Sequence, residues 1–166
     1  MESIAITQPT PMAESNMRYY QVEADSAITE TLETVDACLI KMFCGTGKSK
    51  LMVEGTINQE KRIIAFVFPS LQLIEQFDSD YLQHIYAAKK IRICSDDDDI
   101  STTTTQEINT TLAAFKSRND TCIILVTYQS MDPMFDVLHE TNTTIDVVHF
   151  DEAHHCTATT YKATIF

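Results

Sequence analysis

Residues 42–52 read MFCGTGKSKLM. The 166-residue chain has three glycines, and two of them, Gly45 and Gly47, stand here directly before Lys48 and Ser49. Glycine is needed where a backbone takes positive φ or approaches a ligand closely. The preceding run ACLIKMF (37–43) is apolar and reads as a strand, and residues 48–57 have helical spacing. Strand, glycine loop and helix are the setting in which backbone N–H groups and a helix N-terminus surround phosphate. In that setting Cys44, Gly45, Thr46, Gly47, Lys48 and Ser49 form the cradle, Lys48 reaches the β- and γ-phosphates, and the Ser49 hydroxyl reaches Mg²⁺. The strict GxxxxGK[ST] pattern wants glycine at 42, where this chain has Met42.

A phosphate cradle needs a metal partner, and IDVVHFDEAHH (145–155) supplies one at the end of an apolar strand. Mg²⁺ at a nucleotide takes one or two carboxylates plus phosphate oxygens and water. In open α/β sheets, ligands sit at the carboxyl ends of strands. Asp151 is the candidate Mg²⁺ holder, and Glu152 is the group that positions and deprotonates the attacking water. His149, His154, His155 and Cys156 offer a zinc alternative, weakened because no second ligand pair exists elsewhere in the chain.

Between these motifs the chain alternates. RIIAFVF (62–68), KIRIC (90–94), CIILVTY (122–128) and IDVVHF (145–150) read as strands; 70–87, 106–118 and 131–140 read as helices. Continuous apolar strands alternating with helices predict an α/β fold, a parallel sheet with helices on both faces. SDDDDISTTTT (95–105) breaks the pattern. Its adjacent carboxylates repel one another and lack the alternating spacing of a calcium loop, so it reads as an exposed loop. Residues 1–16, with two of the four prolines, read as a flexible N-terminal arm.

Composition narrows the class. Twelve basic against twenty-four acidic side chains give a net charge of -12, unlike a protein held to nucleic acid mainly by phosphate neutralisation. The longest apolar run, IIAFVF (63–68), is far too short to span a membrane, and the N-terminus shows no secretory signal. Five scattered cysteines without a CxxC pair suit reduced thiols. An intracellular protein, cytoplasmic or nuclear, is the expectation.

CGTGKS and DEAH, about a hundred residues apart in an α/β chain, resemble motifs I and II of superfamily 2 helicases. The resemblance is nearer to the restriction-motor, UvrB and excision-repair branch, and it covers residues 18–166. It implies a RecA-like P-loop NTPase domain at 17–166, binding ATP and Mg²⁺ and working on DNA, with RNA possible. RYYQVEADSAI (18–28) is similar to the segment in which a glutamine, here Gln21, reads adenine. AFVFPSLQLIEQF (65–77) and ILVTYQSM (124–131) are similar to motifs that contact the nucleic-acid backbone, which places Pro69, Ser70, Thr127 and Gln129 near the strand.

The resemblance also implies a Ser/Thr-Ala-Thr motif and a second RecA-like domain, neither of which is in these residues, so the domain reads as truncated. In the resembled sheet, the strand of the Ser/Thr-Ala-Thr motif lies between the phosphate-loop strand and the DEAH strand. The function implied is ATP hydrolysis coupled to movement on nucleic acid when a second domain is joined. Two alternatives stay open: a truncated non-catalytic nucleotide-binding fragment, and a P-loop ATPase or kinase unrelated to nucleic acid.

Overall fold

The computed structural model describes residues 17–58, 63–83, 88–94, 108–110, 112–113 and 121–154. The arm at 1–16, the acidic run at 95–105, most of the helix expected at 106–118, and His155 and Cys156 lie outside the described residues.

The elements run α1 (Tyr19–Leu32), α2 (Lys48–Asn58), β1 (Ile63–Phe68), α3 (Leu71–Phe77), β2 (Ala88–Ile93), β3 (Thr121–Thr127), α4 (Met131–Glu140) and β4 (Val147–Phe150). A π-helical turn, Asp78–Leu82, continues α3, and a 3₁₀ turn, Tyr128–Ser130, leads from β3 into α4. Pro133 is tolerated because it falls in the first turn of α4, where its missing N–H has no helical partner to lose. Asn142, at φ 47, closes the other end, with the Thr143 N–H bonded to the Leu138 carbonyl at 2.9 Å.

The four strands form one parallel sheet in the order β2-β3-β1-β4. β1 and β3 lie inside it and are buried along almost their whole length, as their unbroken apolar sequences require. Alternate residues feed two cores. One face packs Ala65, Val67, Ile124 and Val126 against Met131, Met134 and Val137 of α4. The other packs Ile64, Phe66 and Leu125 against Val53 of α2, Ile74 and Phe77 of α3, and Leu82. This is the expected α/β sheet with helices on both faces.

The expected helix at 70–87 is divided. Its π-helical turn holds Asp78 against Lys90 and Arg92 of β2, with Arg92 Nη2 at 3.0 Å from Asp78 Oδ2.

One expectation is overturned. Residues 37–43 form no strand, and Leu39 and Phe43 are 68% and 88% exposed. β-branched and aromatic residues become a strand only where a neighbouring ladder accepts them. Among the described residues no strand lies beside this run, and β4 is paired only with β1.

Candidate functional site

The glycine loop leads directly into α2. Gly45 and Gly47 have φ 76 and 81, the left-handed region that side chains disfavour. Within the turn, Thr46 Oγ1 donates to the Phe43 carbonyl at 2.6 Å, and Leu51 N donates to the Gly47 carbonyl at 3.1 Å.

α1 fixes this loop from one side. Gln21 is 2% exposed, and its Nε2 donates to the carbonyls of Thr46 and Gly47, each at 3.1 Å. Its Oε1 accepts the Arg18 N–H at 2.8 Å. Tyr20 adds a hydroxyl donated to the Thr46 carbonyl at 3.2 Å, while accepting from Arg18 Nη1 at 2.9 Å. A primary amide has two N–H donors, so Gln21 offers its amide to the loop rather than to the cleft beside it. That cleft, ≈ 180 Å³, is lined by Arg18, Gln21, Lys50, Tyr81 and the loop glycines.

The acidic motif lies at the end of β4. The Asp151 N–H extends the β1 ladder by one bond, to the Val67 carbonyl at 2.9 Å, and the chain then turns through Glu152 at φ 51. Burial pushes the Asp151 carboxyl above its ordinary range. A hydrogen bond from the Glu152 backbone opposes that rise, the Glu152 charge adds to it, and the Lys48 charge opposes it. α2, which begins at Lys48, also meets β4 directly, where Thr56 Oγ1 lies against His149 Nε2. Glu152 remains more exposed, with Oε2 at 3.3 Å from His154 Nδ1.

His149 is partly buried against Phe66, their rings stacked with centroids 5.0 Å apart, and its Nε2 lies 2.5 Å from Thr56 Oγ1 of α2. Burial lowers its pKa to about 4, which leaves it neutral at physiological pH. Among the described residues, no group of three or more His, Cys, Asp or Glu is placed to hold a metal.

Because the strands are parallel, the ends of β1, β3 and β4 share one edge of the sheet. Pro69 and Ser70 follow β1, Thr127 ends β3, and Gln129 follows it. Ser70 and Gln129 are exposed and Pro69 partly so. Thr127 is 5% exposed, and its hydroxyl donates to Ser130 Oγ at 3.1 Å, so it faces inward. Sequence reasoning did not single out Tyr20, Thr56 or Tyr128. Tyr20 and Tyr128 sit inside quoted motifs, but Thr56 carries no local signal at all.

The sequence matches the family described as type III restriction enzyme, res subunit, over residues 14–166. The chain belongs to that family. With it comes the superfamily 2 helicase N-terminal domain, RecA-like in fold. Among solved structures, the chain is similar to a nuclease-deletion mutant of the type ISP restriction-modification enzyme LlaGI in complex with a DNA substrate mimic. The TM-score is 0.75 at 22% identity, covering 84% of this chain and 15% of that one. At that identity the likeness speaks for the fold. This res-family chain thus spans a small part of the length of the enzyme it resembles. No curated protein sequence matches it. No helix among the described residues is long and apolar enough to cross a membrane.

Proposed function

We propose that this chain is the ATP-binding RecA-like domain of a restriction-type motor, coupling ATP hydrolysis to movement on DNA when joined to a second RecA-like domain. The observation that carries this is that the glycine loop opens α2 and the acidic turn ends β4, two elements joined where Thr56 Oγ1 meets His149 Nε2. A half-buried carboxylate whose proton affinity is raised by burial gains from a cation beside it, and a phosphate-bound Mg²⁺ is such a cation.

In this reading residues 44–49 hold the phosphates, Lys48 neutralises their charge, and Ser49 and Asp151 hold Mg²⁺. The metal supplies charge neutralisation across the phosphates. Glu152 orients the attacking water and accepts its proton. Adenine enters the cleft beside Arg18 and Tyr81; contact with Gln21 would require its amide to exchange a loop carbonyl for the base. Ser70 and Gln129 present polar side chains to the nucleic-acid backbone, and Thr127 supports them from within through Ser130. With a net charge of -12, these contacts are local, and the chain alone binds DNA weakly at physiological salt.

The test is hydrolysis by the full-length protein. ATP turnover is expected to rise on adding DNA, and Glu152→Gln is expected to keep Mg·ATP binding while losing most turnover. Hydrolysis indifferent to DNA and RNA would favour a P-loop ATPase unrelated to nucleic acid. Wild-type turnover in Glu152→Gln would remove the base assignment.

A further inference from the structure

β4 leads into the acidic pair, yet among the described residues it has a ladder on one side only. The turn beyond it is also strained, since Glu152 adopts φ 51 without being glycine. A left-handed residue persists only where its surroundings hold it. Two side-chain hydrogen bonds, one on each face of β4, act at this point.

On the α4 face, the buried Tyr128 donates its hydroxyl to the Asp151 backbone carbonyl at 2.9 Å, its ring near that of Phe150 with centroids 6.2 Å apart. On the α2 face, the Thr56 hydroxyl lies 2.6 Å from the Met52 carbonyl and 2.5 Å from His149 Nε2. A hydroxyl has one proton. With that proton given to Met52, His149 donates Nε2–H to Thr56, and β4 is tied to the helix that begins at Lys48. Tyr128 connects the same turn to the end of β3, beside Gln129.

We propose that Tyr128 and the Thr56–His149 pair are positioning residues that brace the Asp151–Glu152 turn from opposite faces and set the metal-dependent part of nucleotide binding. The proposal rests on the reading of Asp151 as the Mg²⁺ holder. Neither bond involves the phosphate loop, so loss of either leaves the phosphate contacts of 44–49 in place. What changes is the alignment of one carboxylate with the metal. Groups that orient a metal ligand through such second contacts commonly alter metal affinity by about 10–100-fold.

The experiment is calorimetric titration of the chain with ATP, in Mg²⁺ and in EDTA, for wild type, Tyr128→Phe, Thr56→Val and Thr56→Ser. The tightening by Mg²⁺ is expected to shrink about tenfold in Tyr128→Phe and Thr56→Val. Affinity in EDTA is expected to stay within about twofold of wild type, and Thr56→Ser to behave as wild type, because it keeps the hydroxyl. Tyr128→Phe removes a single oxygen and keeps the ring packing, so it serves even if Thr56→Val folds poorly. An unchanged Mg²⁺ effect in both variants overturns the proposal, as does an equal loss in Mg²⁺ and EDTA. A wild-type chain that binds no ATP contradicts the proposed function instead. Hydrogen exchange at the Asp151 amide then judges the brace alone: faster exchange in Tyr128→Phe supports it, and unchanged exchange overturns it.

Discussion

Gln21 Nε2 stands 3.1 Å from the Gly47 carbonyl, and a Cβ added to that same glycine would come 2.5 Å from the nitrogen. Gly45 has nothing within 4 Å of its added Cβ. The two loop glycines therefore differ in kind: both need positive φ, but only Gly47 is also packed against α1. Gly45→Ala is expected to cost about 1–2 kcal/mol through backbone strain alone. Gly47→Ala should cost more, because it also displaces the Gln21 amide from the loop carbonyls. Urea unfolding of the two variants checks this, and equal midpoints would show that the Gln21 contact carries no weight.

Acid should weaken the fold through Asp78. Burial alone would raise its pKa, but hydrogen bonds and charges from Lys90 and Arg92 outweigh burial and hold it below the ordinary value of 3.8. A carboxyl whose folded pKa is depressed contributes stability above its unfolded pKa and loses it as pH falls through the folded one. Wild type is expected to exceed Asp78→Asn in stability at pH 7, with the gap closing below about pH 4. A gap that is constant from pH 7 to pH 3 would contradict this assignment.

Leu39 and Phe43, 68% and 88% exposed, lie in the run that forms no strand, while β4 has no second partner among the described residues. Unpaired strand edges and exposed apolar side chains both favour self-association. The chain is expected to associate with rising concentration, and the double variant Leu39→Asp/Phe43→Asp to associate less without a lower unfolding midpoint. Sedimentation velocity across a concentration series decides it. Unchanged association in the double variant would place the adhesive surface elsewhere.

The sheet was legible because its evidence is local. IIAFVF and CIILVT are unbroken apolar runs, and such runs between helices have few alternatives to buried parallel strands. The loop and the acidic pair were legible for the same reason, each being a contiguous word of sequence. The failure at 37–43 is of a different sort. ACLIKMF has the composition of a strand, but strand formation depends on a neighbour that the run itself does not encode. The resemblance singled out Gln21 as a reader of adenine, yet its bonds to Thr46 and Gly47 could not be read from spacing, since α1 reaches the loop only through tertiary packing. Thr56 meets His149 across 93 positions, and Tyr128 meets Asp151 across 23. Long-range hydrogen bonds between single polar atoms leave no periodic trace in a sequence.

Under the proposed function, residues 44–49 hold the phosphates of ATP, with Mg²⁺ shared between Ser49 and Asp151. Calorimetric titration of the chain with ATP, with and without Mg²⁺, tests it most directly in wild type, Lys48→Ala and Ser49→Ala. Lys48→Ala should weaken binding by about 1.5–3 kcal/mol through loss of a charge-assisted contact. Ser49→Ala should weaken binding only when Mg²⁺ is present. Equal ATP affinity in wild type and Lys48→Ala, with the variant folded, would contradict the account.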